Sequence, residues 1–371
     1  MINSQSLRTG TDFLGFYTAA TISQTEGSQS IYNSDLQQQI EERLVGFKLA
    51  PDQILLFNHL PYFIPLLSLI TTTNYVASFL RWTVILIAFF LLGVQLLLSI
   101  LSQSGLNKTQ KTITMIGTLL FFPVFTSLLN GQDTIFLLLG AALFLVGFIS
   151  NHPISAGLGL SLMTIRPQLA LILAIPFLFY NRKIFFWFII GSVALGTFVL
   201  LYLGLDGSKD FLNILLTSSR GDWYGLHPED MPTLTGMLQR NFANLTSSAI
   251  QIIGMVGYFL AIIGLCITAI KNKTLTINQF GITFLVSIFF APYLHYHDLS
   301  LLLIPIFCLF RVYLPKHREN LILLPITLSI FLLLGFFWSW MRYISVSIAM
   351  IAMFYFLLSG EKNMNLESTS Q

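Results

Sequence analysis

Apolar residues recur in long blocks from Val76 to Ser359, each closed by a short polar stretch. Crossing ~30 Å of hydrocarbon takes about 20 apolar residues, and these blocks reach or approach that length. They predict transmembrane helices at 76–101, 112–129, 133–149, 154–180, 184–205, 248–270, 277–291, 299–314, 321–340 and 343–359. The pattern ahead of them differs. Met1 to Ala50 is polar and mixed, without the charged, apolar, small order of a signal peptide. Within it, Leu36, Ile40 and Leu44 fall one turn apart, with Gln37, Gln38, Glu41 and Glu42 opposite. That spacing predicts an amphipathic helix over 35–48, lying on the membrane surface. Residues 54–70 are apolar but interrupted by Pro61 and Pro65, which predicts a short re-entrant or surface-lying helix.

The block 154–180 decides the topology, because Arg166-Pro167 stands near its middle. Lys and Arg accumulate in short cytoplasmic loops. Breaking the block into two half-helices puts Lys108, Lys111, Arg182, Lys183, Lys271, Lys273, Arg311, Lys316, Arg318 and Lys362 all inside. A single crossing would throw the last eight outside and bring in only Lys209, Arg220, Arg240 and Arg342. The broken version therefore stands, with eleven crossings counting both halves. Residues 1–75 then form a first extracytoplasmic loop with juxtamembrane helices. A transmembrane bundle follows over 76–360 with an outer loop at 206–247, and 361–371 is a cytoplasmic tail. Asp12, Asp133, Asp206, Asp210, Asp222, Glu229, Asp230 and Asp298 all fall on the outer face. A chain that starts outside also leads one to expect a further transmembrane helix ahead of its polar N-terminus.

Composition agrees. Of 371 residues, 55% are apolar and 9% charged, against about 25% charged in soluble proteins, and mean hydropathy is +0.76. So few charges could not cover a soluble fold. The class is all-α, a polytopic transmembrane helical bundle with an outer-face amphipathic helix and loops. The net charge of +3 is scattered over loops, with no basic stripe for nucleic acid. Cys266 and Cys308 lie in separate apolar runs and read as packing residues.

Four constellations could carry chemistry, and each has a bland reading beside it. Asp12 opens Thr11-Asp12-Phe13, with Tyr17 and Ala19-Ala20 beyond. It reads as a helix N-cap or as a general base at the outer surface. Asn130-Gly131-Gln132-Asp133 is a tight turn on its dipeptide alone. Arg166-Pro167-Gln168 puts a guanidinium within the bilayer, where it snorkels or meets an anion such as a lipid phosphate. Tyr293-Leu294-His295-Tyr296-His297-Asp298 suits a donor-phosphate or sugar contact, interfacial anchoring, or a metal, for which the spacing is weak.

Taken in order, these segments resemble glycosyltransferase family 87, polyprenyl-phosphate-sugar-dependent enzymes of the GT-C class. The resemblance runs through TDFLGFYTAA, SIYN, FNHLPYFIPLL, NGQDTIFLLLG, SAGLGLSLMTIRPQLAL, Met231 to Leu238 and APYLHYHDLSLLL, nearly the whole chain. Three features depart from the family pattern. Its Lys-Pro is Arg166-Pro167 here, its Ser-Pro is Ala291-Pro292, and Asn58-His59 with Ile64 replaces a Tyr-Pro-Pro character.

The resemblance implies a GT-C-like fold and an inverting hexosyltransferase of the plasma membrane, with a multi-pass chain and an extracytoplasmic active site. It would carry a hexose, mannose-like, from a polyprenyl phosphate to a hydroxyl of a glycan or glycolipid acceptor. Asp12 would match the catalytic carboxylate. Arg166 would neutralise the leaving phosphate, with His295 or His297 assisting, Asp298 orienting one of them, and Tyr17 and Gln132 also on the substrate side. Membrane lipid is the surrounding partner; neither a metal nor another cofactor is implied. Two other classes stay open: a lipid-carrier flippase or transporter, and an inactive family member with a structural role in a cell-envelope complex.

Overall fold

The computed structural model describes residues 11–50, 53–101, 106–220, 228–242, 244–314, 319–338 and 341–369. Met1 to Gly10, Asp222, Lys316 and Arg318 fall outside them, and the side chain of Lys362 is likewise not described. The described residues are 83% helical, with no strand among them. The chain folds as two compact units. The first takes residues 1–88, 128–133 and 192–227; the second takes 89–127, 134–191 and 228–371.

In the first unit, α1 (Phe13–Thr25) has Phe13, Leu14, Phe16, Tyr17, Ala19, Ala20 and Ile22 all buried. A helix that is apolar all round can only be stable inside a core. α2 (Ser34–Val45) starts at Asn33, whose side chain accepts the Leu36 N–H. The face it turns toward the protein is largely the polar one. Gln37, Glu41 and, at the end of the helix, Val45 are buried, while Leu36, Ile40 and Leu44 stay partly exposed. Gln37 donates to Ile31 O and accepts the Phe57 N–H, and Glu41 accepts the Leu55 N–H. The two side chains thus satisfy two backbone N–H groups of 54–60, a segment outside any helix. Leu55 O lies so close to α1 that a Cβ at Gly15 would stand 2.7 Å from it. Helix is confined to the end of the proline-interrupted block, a 3₁₀ turn at Pro61–Phe63 and α3 (Ile64–Ile70).

The remaining helices follow the apolar blocks. They are α4 (Tyr75–Ser99), α5 (Lys108–Leu119), α6 (Phe122–Asn130), α7 (Thr134–Ile149), α8 (Pro153–Leu162), α9 (Pro167–Ala174), α10 (Phe177–Tyr180), α11 (Arg182–Arg220), α12 (Leu234–Asn241), α13 (Ser247–Asn272), α14 (Ile277–Phe290), α15 (Leu303–Tyr313), α16 (Leu324–Phe337) and α17 (Met341–Thr369). Six spans among the described residues are long and apolar enough to cross a membrane, seven with the pair α5 and α6. That pair is bent by 50° just before Pro123. The helices over 153–165 and 167–180 occupy the two halves of the broken block, and those over 134–149 and 277–290, where crossings are expected, are 16 and 14 residues long. The expected loop 206–247 is helical at both ends: α11 runs on past a break at Gly204 (φ 67°), and α12 lies within it.

In the second unit, α7 and α8 pair closely because glycines line the contact. A Cβ at Gly159 would meet Phe144 N at 2.5 Å, and one at Gly140 would meet Gly159 O at 2.8 Å. The span Tyr296–Tyr313 is 94% buried, so protein rather than lipid surrounds it.

Candidate active site

The predicted site residues divide between the two units. Asp12, Tyr17 and Gln132 belong to the first; Arg166, His295, His297 and Asp298 belong to the second.

In the first unit Asp12 occupies the N-cap position of α1 but does not cap it. Its backbone is helical (φ −63°, ψ −19°), and its side chain makes no capping bond. A capping residue needs extended dihedrals to turn its oxygen back on the helix. The carboxylate instead accepts from Gln132 Nε2 at 2.6 Å and stays half-exposed. Gln132 is delivered by the turn after α6, where Gly131 adopts φ 68° and stacks against Phe13. Trp82, fully buried, donates its indole N–H to Gly131 O at 2.9 Å. Tyr17 is buried: its hydroxyl donates to Thr72 O at 2.7 Å, and its ring packs on Phe13 and Tyr75. A pair that spacing did not reveal lies beside them. His59 Nδ1 and Asp133 Oδ2 are 2.9 Å apart, with Asp133 buried and the imidazole stacked on Phe57.

In the second unit Arg166 lies at the break between α8 and α9, with φ −120° and ψ 82°. Its position before Pro167 explains the break, since the proline ring disfavours helical dihedrals in the residue ahead. The guanidinium is largely buried, and its Nη2 lies 3.7 Å from Asp298 Oδ1. Asp298, also buried, accepts the Thr134 hydroxyl at 2.7 Å and the His295 backbone N–H at 3.0 Å. His297 Nε2 is 3.7 Å from its other oxygen, so His297 is the histidine whose ring faces Asp298. His295 touches that carboxylate through its backbone, and its ring lies between Tyr293 and His297. Gln168 Nε2 donates to Tyr293 O, and the Tyr258 hydroxyl donates to Gln168 O, fastening the start of α9. Burial pushes the Tyr293 phenol above its ordinary value, against the opposing pull of Arg166. Its hydroxyl therefore stays protonated.

The second cluster is a guanidinium, an imidazole and a carboxylate in a setting poor in water. An arginine already facing one carboxylate, with a histidine beside it, can accept a further anion. Among the described residues no three of His, Cys, Asp and Glu are grouped to hold a metal ion. Thr134 is the member of this cluster that sequence reasoning missed; its signal was its place immediately after the Asn-Gly-Gln-Asp turn.

The model of glycosyltransferase family 87 matches residues 57–294. No curated protein and no solved structure matches the chain. The matched stretch holds His59, Gln132, Asp133 and Arg166, and ends one residue before His295. It covers well over half the chain and carries the apolar helices with it, so this protein belongs to glycosyltransferase family 87 and is a multi-pass membrane glycosyltransferase.

Proposed function

We propose that the protein transfers a hexose, mannose-like, from a polyprenyl phosphate to a hydroxyl of a glycan or glycolipid at the outer face of the plasma membrane. The observation that carries this reading is the Asp12 carboxylate, which is unused as a cap and held instead by Gln132. A hydroxyl is a weak nucleophile until a base takes its proton in the transition state. Asp12 takes that proton as the acceptor oxygen bonds to the anomeric carbon. The carbon–oxygen bond to the phosphate breaks on the opposite face, inverting the configuration. The polyprenyl phosphate leaves with the bonding pair and gains negative charge. Fixed cations lower the barrier where such charge develops. Within the second unit, Arg166 with His297 and Asp298 near it is a group of the kind that binds such a phosphate, and it is the proposed donor-phosphate contact.

The test is transfer from a panel of radiolabelled polyprenyl-phosphate hexoses by purified protein in lipid vesicles. Asp12→Asn keeps the volume and the Gln132 contact but cannot take a proton, so turnover falls by about 100- to 10,000-fold. Wild-type-like turnover in Asp12→Asn removes Asp12 from the mechanism. No transfer from any donor by wild-type protein favours the flippase or structural readings.

A further inference from the structure

Asp12 and Gln132 are held by a ring of contacts that closes through His59. The Gln132 amide reaches Asp12, and the next residue, Asp133, meets His59 Nδ1 at 2.9 Å. The imidazole then packs on Phe16, with ring centroids 4.8 Å apart. Phe16 lies four residues after Asp12 on α1, one turn away on the same helix face. His59 is itself fixed. The Tyr32 hydroxyl donates to its carbonyl at 2.6 Å, and its ring stacks on Phe57 at an interplanar angle of 22°. An imidazole–carboxylate pair therefore links the helix bearing Asp12 to the turn bearing Gln132.

We propose that His59 is a positioning residue for Asp12. It acts through Asp133, which anchors the turn so that Gln132 stays on the Asp12 carboxylate. This rests on the reading of Asp12 as the general base. Asp133 is buried, and a buried carboxylate is stable only with a donor or cation against it. The Nδ1–H of His59 provides one, on a side chain rigid enough to fix direction as well as charge. Gln132 makes one hydrogen bond to Asp12, so its angle depends wholly on how the turn is seated. Misplacing a reacting group by ~1 Å costs about 100-fold in rate.

The experiment is a double-mutant cycle between His59 and Gln132, read as kcat and donor KM. His59→Phe keeps the ring packing and removes the Nδ1–H donor. It is expected to lower kcat about 10- to 100-fold with donor KM within twofold. His59→Asn places an amide N–H near the lost Nδ1–H and restores most of that rate. Gln132→Ala lowers kcat similarly, and adding His59→Phe to it costs nothing further, because both changes break one linkage. Three results overturn the proposal: His59→Phe at the wild-type rate, losses that multiply in the double variant, or His59→Asn as slow as His59→Phe while still monodisperse. Failure of the base assignment shows separately, as undiminished turnover of Asp12→Asn.

Discussion

Single residues in this protein owe their roles to partners far away in sequence. Asp12 meets a residue 120 positions on, His59 one 74 positions on, and Asp298 one 164 positions back. Local spacing marked Asp12, Gln132 and Asp298 as candidates but could not tell a cap from a base, because both uses begin with the same short pattern. The helical backbone at Asp12 removes the cap, and its carboxylate receives Gln132 instead; the base is the role proposed for it. Gly131 shows how tightly that arrival is specified. Its φ of 68° disfavours any side chain, and an added Cβ would stand 2.9 Å from the Cβ of Phe13, the neighbour of Asp12. Gly131→Ala therefore strains the turn by about 1–2 kcal/mol and pushes on the residue next to the carboxylate. The expected outcome is a thermal midpoint lowered by a few degrees with a rate loss well beyond it, at least 10-fold, measured on the same preparation. Equal and small losses in both would show that the turn does not seat Asp12.

At the scale of elements, existence was legible and direction was not. The 3.6-residue period found α2, a local effect, whereas the break at Arg166 was chosen by the distribution of Lys and Arg over the loops, and Pro167 supplies its local cause. Which face of α2 packs inward depends on what it packs against. The irregular segment 54–60 needs polar partners for its backbone, so Gln37 and Glu41 went in. The bend between α5 and α6 also has a local cause in Pro123, although the apolar run hid it. Burial raises the Glu41 carboxyl to about 7, opposed by the Leu55 N–H it accepts, against an ordinary 4.5. A carboxyl whose folded value is raised stabilises the fold while protonated. Stability from this group is therefore fully present below about 4.5 and lost as pH climbs through about 7. The difference is on the order of 3 kcal/mol. Thermal midpoints in detergent should fall between pH 5 and pH 8, and Glu41→Gln, which keeps an acceptor for Leu55, should flatten that slope. A wild-type slope that survives in Glu41→Gln assigns it to other groups.

At the scale of the molecule, hydropathy read the all-α membrane class correctly, because apolar runs report directly on hydrocarbon burial. Among the described residues six helices, seven with the bent α5–α6 pair, reach the length of a full span, and apolarity by itself does not tell a helix enclosed by protein from one facing lipid. The span Tyr296–Tyr313 shows the ambiguity, since nearly all of it is enclosed by protein. Sidedness rests on the Lys and Arg pattern, and α13 offers a clean test of it. At 26 residues it is about 39 Å long, enough to put its ends on opposite sides of the bilayer. Asn244 precedes it and Lys273 follows it, and both are exposed. With Cys266 and Cys308 changed to Ala, Asn244→Cys should react with a membrane-impermeant maleimide in intact cells, and Lys273→Cys only after permeabilisation. The opposite pattern would place the loop before α13 in the cytoplasm, and the outer-face assignment built on the same charge pattern would fall with it. Because this readout needs neither donor nor acceptor, it bears on sidedness whatever sugar the enzyme carries.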